Sequence, residues 1–157
     1  MTRWRHRTAT ALLLAAVPLA GLPGVAQAAD PLVADACPAD EVQGDWFADT
    51  AGNVHAQAVE CLSWWAVTGG VEQGRYGVGD PVSRGQMATF LARTLDGLGV
   101  PLPGAEPRFP DVAGTTHADG ISRLAAAGVV GGGADGRYRP GDPVSRAQMA
   151  TFLVRTF

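Results

Sequence analysis

Two arginines, Arg84 and Arg146, are the residues best placed to do chemistry in this chain, and each directly follows a serine that opens a helix. A cation in the first helical turn faces the positive end of the helix dipole, so the position disfavours it by a few tenths of a kcal/mol. The free backbone N–H groups of such a turn, joined by a guanidinium, form a site for a carboxylate, a phosphate or an acidic sugar. The competing account is an ordinary ion pair, with Asp80 or Asp49 for Arg84 and with Asp142 or Asp111 for Arg146. His55 and His117, each with a nearby Asp49 or Asp111, raise a metal or acid–base pair, but a lone His near a helix start more often caps or packs. Trp64-Trp65 occurs once, and packing is favoured over stacking on a sugar or a partner. Cys37 and Cys61 lack the C-x-x-C spacing of a metal site, and Asp135-Gly136-Arg137-Tyr138 has too few acids for a calcium loop. No Gly-x-Ser-x-Gly, Walker-type loop or His-Glu-x-x-His occurs. The reading is therefore of a binding protein without catalytic residues, metal or cofactor, with an enzyme as the alternative.

The elements that must position these arginines occur twice. Asp80-Pro81-Val82-Ser83-Arg84-Gly85-Gln86-Met87-Ala88-Thr89-Phe90-Leu91 returns as Asp142-Pro143-Val144-Ser145-Arg146-Ala147-Gln148-Met149-Ala150-Thr151-Phe152-Leu153. Extended without a gap over Phe47–Leu95 and Phe109–Phe157, the two copies are identical at about 27 of 49 positions, which marks a tandem duplication. Pro81 and Pro143 block helix just upstream, Ser83 and Ser145 cap, and Gln86 and Gln148 complete capping boxes. Met87, Phe90, Leu91 and Leu95 then recur at helical spacing, as do Met149, Phe152, Leu153 and Phe157. An earlier helix in each copy carries Ala58, Val59, Leu62, Trp65 and Ala66, or Ile121, Leu124, Ala125 and Gly128. Gly69-Gly70 and Gly131-Gly132-Gly133 are expected to end these helices, and Arg75-Tyr76 and Arg137-Tyr138 to form short extended pieces. In Phe47-Ala48-Asp49 and Phe109-Pro110-Asp111, a buried aromatic precedes a turn-capping Asp.

The expected organisation is a signal peptide at 1–28, an extension at 29–45, a first repeat at 46–95, a Pro/Gly linker at 96–107 and a second repeat at 108–157. The leader has a basic start, an apolar run broken by Pro18 and the small-residue stretch Ala26-Gln27-Ala28, which places the chain outside the cell. An uncleaved anchor is the alternative, although the run is short for a span. Without the leader, nine Arg face 15 acids, a net charge of −6 that argues against nucleic acid as a partner. The absence of Lys beside abundant Ala, Gly and Val looks like a GC-rich bacterial genome of the actinobacterial type. In an exported chain Cys37 and Cys61 read as a disulfide of the first repeat, worth on the order of 3 kcal/mol in the chain-entropy description. Each repeat alone is close to the lower limit for a self-sufficient core, so the two are expected to bury their helix faces against each other.

Phe-x-Asp, His-Ala, a helix, a Gly-rich turn and Tyr-x-x-Gly-Asp-Pro-Val-Ser-Arg-x-Gln-Met-Ala-Thr-Phe-Leu, in that order and in both copies, resemble the S-layer homology domain. The resemblance implies a mainly α fold of tandem repeats, each helix–loop–helix with a short strand-like segment, packed as a helical bundle. It also implies non-covalent anchoring of an exported protein on secondary cell-wall polysaccharide, often bearing acidic pyruvyl groups, or on peptidoglycan, with no membrane partner once the leader is gone. The family's usual Thr-Arg-Ala-Glu is Ser83-Arg84-Gly85-Gln86 and Ser145-Arg146-Ala147-Gln148 here. The implied ligand-binding residues are thus Arg84 and Arg146, with Gln86 and Gln148 as secondary members. Two departures bear on function: Ala56 and Ala118 replace the Trp often found after the His, and there are two repeats where the family tends to have three. A partner completes the assembly, or two lobes suffice, or binding is weak. The alternative function is a secreted assembly module that forms a homo-oligomer through its missing third lobe.

Overall fold

The computed structural model describes Ala36, Cys37, Val42 and residues 46–157; the leader at 1–28 and most of the extension at 29–45 lie outside the described residues. The fold is mainly α. Among the described residues, four helices, α1 (Ala56–Trp64), α2 (Arg84–Gly97), α3 (Ala118–Ala126) and α4 (Arg146–Thr156), follow a 3-10 turn at Ala48–Thr50. The extended pieces expected at Arg75 and Arg137 are not strands. Among the described residues, pairing is limited to isolated antiparallel bridges, Glu72 with Arg75 and Ser83 with Pro143, the second joining the two copies.

Both capping boxes form. The Gln86 N–H donates to Ser83 Oγ at 3.2 Å and the Ser83 N–H to Gln86 Oε1 at 2.8 Å. Their counterparts at Ser145 and Gln148 measure 3.2 and 2.9 Å. His55 and His117 precede α1 and α3, but neither side chain caps its helix. The first helix of each copy also stops earlier than its glycine runs imply. Ala66 (φ 57°) and Gly128 (φ 76°) adopt the left-handed conformation, and the Val67 and Val129 N–H groups reach back to the Leu62 and Leu124 carbonyls, both at 2.9 Å. This is a Schellman-type ending, which needs a left-handed residue directly past the last turn.

The glycines further on serve close approach instead. A Cβ on Gly132 would stand 2.7 Å from the Phe109 ring and 2.9 Å from the Arg137 carbonyl oxygen, so the chain folds onto its aromatic only without one. The Asp of each Phe-x-Asp holds this loop rather than its own turn. Asp49 accepts from the Tyr76 and Gly77 N–H groups, both at 2.7 Å, and Asp111 from those of Tyr138 (3.0 Å) and Arg139 (2.7 Å).

The core lies across the two copies, not within each. Met87, Ala88, Leu91, Ala92 and Leu95 of α2 join Ile121, Leu124 and Ala125 of α3 in one buried cluster with Phe109, Val112, Tyr138 and Phe152. Small residues allow the two helices to meet: a Cβ on Gly120 would lie 3.1 Å from the Thr89 Cα, and one on Gly85 2.6 Å from the His117 ring. Arg123 of α3 clamps the far end through Asp96 of α2 (Nη1–Oδ2 2.9 Å). The first copy has a smaller interior around Phe47, Val59 and the Cys37–Cys61 disulfide, whose Cα atoms are 5.6 Å apart. The bridge ties the extension to α1 at the position where the second copy carries Arg123. No helix among the described residues is long and apolar enough to cross a membrane.

Candidate functional site

The N-terminus of α2 does not point into solvent. Its Arg84 and Gly85 N–H groups donate to the carbonyls of Asp142 and Pro140, both at 2.8 Å, so the amides expected to hold an anion are spent on joining the two copies. The Arg84 side chain crosses the same joint. Nε donates to the Tyr138 carbonyl at 2.9 Å and Nη2 to the Gly131 carbonyl at 3.0 Å, while the guanidinium lies 4.5 Å from the centre of the Tyr138 ring. Neither Asp80 nor Asp49 pairs with it; Asp80 binds Arg75 at 2.7 Å instead. A guanidinium carries five N–H bonds, so two are used here and three remain for a ligand.

Arg84 also lines a cavity of about 510 Å3, together with Gly131, Gly132, Gly133, Arg137, Tyr138, Arg139, Asp142, Pro143 and Gln148 from the second copy. Tyr138 forms its floor. It is 1% exposed, its O–H donates to the Arg84 carbonyl at 3.1 Å, and burial pushes its phenol up to about 12 although the Arg84 cation pulls the other way. The neutral phenol is therefore a buried support that holds the Arg84 guanidinium in place. The equivalent loop of the first copy encloses about 50 Å3 among Gly70, Tyr76, Gly77, Asp80, Pro81 and Gln86, and no arginine lines it.

The residues singled out from the sequence are thus distributed unequally. Arg84 and Gln148 line one cavity although they come from different copies; Gln86 lines the small one. Arg146 is exposed, with no hydrogen bond or ion pair among the described residues. Arg137 and Arg139 escaped sequence reasoning. The signal for Arg139 was its position: the first copy has Gly77 there at φ 80°, and Arg139 keeps the same left-handed backbone at φ 60°. A side chain pays roughly 1–2 kcal/mol in that conformation, and such outliers gather where function requires the residue. The Arg139 guanidinium is half exposed and shares Asp135 at 2.8 Å.

His117 Nδ1 and Thr89 Oγ1 share a 2.8 Å hydrogen bond across the α2–α3 joint, which gives His117 a packing role there. No group of three or more potential metal-ligating side chains occurs among the described residues. Burial, aided by the Arg93 charge, lowers the His117 pKa below its ordinary 6.5. A group whose folded pKa is depressed contributes stability above the unfolded value and loses it as pH falls through the folded one. Stability is therefore expected to decline as pH drops below about 6.5. A second decline is expected below 3.8, where hydrogen bonds hold the Asp49, Asp96 and Asp111 carboxyls low. Urea titrations between pH 7.5 and 5 check the first step, which should be missing from His117→Gln.

Residues 108–150 match the S-layer homology domain. The chain is also 33% identical over 104 residues to a "Cell surface protein" of Thermoanaerobacter kivui. That alignment covers 64% of this chain and 14% of the relative, so the chain spans about a seventh of that protein's length. The matched segment contains the glycine loop, Arg137, Tyr138, Arg139 and Gln148. The segment similar to the S-layer homology domain is thus the one that supplies most of the residues lining the joint cavity.

Proposed function

We propose that the chain is a secreted, non-enzymatic cell-surface module that holds a cell-wall polymer non-covalently, with its first copy acting as a second S-layer homology repeat. The polymer is an acidic secondary cell-wall polysaccharide or peptidoglycan. One observation carries the reading: three arginines, Arg84, Arg137 and Arg139, line one open cavity over a tyrosine, in a chain whose net charge is negative. A guanidinium with spare N–H groups, flanked by two further arginines, is the chemistry that recognises a carboxylate-bearing sugar. The similarity of 108–150 to a cell-surface domain supports the same location.

The test is sedimentation of the secreted chain with purified wall sacculi, before and after acid stripping of the attached polymer. Retention that survives stripping indicates peptidoglycan; retention lost with it indicates the polysaccharide. Arg139→Gly gives the sharper measurement. It removes a charged donor, so binding should weaken about tenfold. It also relieves a left-handed backbone, so thermal stability should be unchanged or higher by up to about 1 kcal/mol. Loss of binding with no loss of stability separates a ligand contact from a structural one. Full retention by both Arg137→Ala and Arg139→Gly would reject the cavity as the site.

A further inference from the structure

We infer that a second copy of this chain docks head to tail on α4, repeating between molecules the joint that its own two halves make internally. The duplication supplies the template. On α2, Leu91 and Ala92 are 6% and 2% exposed, in one buried cluster with residues of α3; at the same positions of α4, Leu153 and Val154 are 41% and 77% exposed. An apolar stripe of this kind is a face built for a partner. The complementary face is partly open, although Val59, the counterpart of Ile121, is already 6% exposed within the first copy. Leu62 of α1 is 42% exposed where Leu124 of α3 is fully buried, and Tyr76 is half-buried where Tyr138 is 1% exposed beneath Arg84.

The polar pattern agrees. At the internal joint the Arg84 and Gly85 N–H groups meet the Asp142 and Pro140 carbonyls, and the Val144 N–H meets the Val82 carbonyl at 2.9 Å. The counterparts, the Arg146 and Ala147 N–H groups on one end and the Asp80 and Val78 carbonyls on the other, have no hydrogen-bond partner among the described residues. Docking α4 on the α1 face of a second copy would satisfy them and bring Arg146 over Tyr76, as Arg84 lies over Tyr138. Both faces belong to one chain but differ from each other, so the contact is heterologous and builds a ring or an open chain.

The two joints differ in one respect. Gly85 and Gly120, which let α2 and α3 meet closely, are Ala147 and Ala58 in the outer pair. A Cβ at the Gly85 position meets the His117 ring, so His55 must turn aside for Ala147. The outer joint is therefore weaker than the inner one and depends on concentration.

Sedimentation velocity of the secreted chain without wall polymer, from roughly 1 μM to 1 mM, tests this. Mean mass should rise with concentration. Val154→Asp, which spoils the α4 face, and Ala58→Arg, which spoils the α1 face, should each be monomeric; both positions are exposed, so folding is preserved. Mixing the two variants should restore a one-to-one dimer, because each keeps the face the other lacks. Ala58→Gly with Ala147→Gly should tighten association about tenfold by matching the inner joint. A single-chain mass across the whole range overturns the inference, as does association by Ala58→Arg alone, which would mean that α4 pairs with itself.

Discussion

Arg84→Ala is expected to lower unfolding free energy by about 2–4 kcal/mol and to abolish retention on wall polymer, whereas Arg146→Ala changes stability by less than about 0.5 kcal/mol. The two residues occupy the same position of a duplicated sequence, so residue type and helix position are controlled for. What differs is the surroundings. Arg84 donates to the Gly131 and Tyr138 carbonyls and stacks on Tyr138, with the Phe152 ring centre at 5.7 Å. Truncation leaves two carbonyls unpaired at the joint and uncovers a tyrosine that is almost wholly buried. Arg146 is exposed and engages nothing among the described residues. Urea unfolding of both variants measures the contrast. If they lost equal stability, the joint would not depend on its arginine, and the cavity would lose its structural basis.

Leu124→Ala and Leu62→Ala form a second matched pair. Leu124 is fully buried between α3 and α2, and its truncation should cost about 3–5 kcal/mol, the upper part of the range for a site that cannot collapse. Leu62 is 42% exposed, so its truncation should cost no more than about 1.5 kcal/mol. Chemical denaturation with an unchanged slope would make the comparison clean. The inequality follows from burial alone and is independent of ligand. Equal costs would mean that α1 is covered in solution as thoroughly as α3, which at high concentration is also what head-to-tail docking predicts; the measurement therefore belongs at low micromolar protein.

Local chemistry was legible from residues close together in the chain. Ser83 with Gln86, and Ser145 with Gln148, dictate capped helices because each side chain reaches only its own first turn. The disulfide followed from two cysteines in a chain whose leader reads as a secretory signal, and the mutual burial of the two copies from their small size. The glycine runs misled about where α1 and α3 end: Ala66 accepts a left-handed backbone that a propensity argument assigns to glycine, and in the second copy Gly128, read as part of the helix face, takes that position ahead of the glycine run. The two Asp of the Phe-x-Asp motifs looked like local caps, yet each holds backbone amides more than two dozen residues downstream.

By itself, the sequence determined the mainly helical class, the twofold repetition, the capped second helices and the presence of Arg84 and Arg146 at matching positions. Only the tertiary structure decided that these arginines are not equivalent. One crosses a joint into the other copy's loop and lines a cavity with Arg137, Arg139 and Gln148; the other meets solvent. The reason is physical: identical local sequences specify identical helices, but a site shared between two elements exists only where a second element arrives, and among the described residues α3 arrives at α2 while no helix covers α4 in the same way.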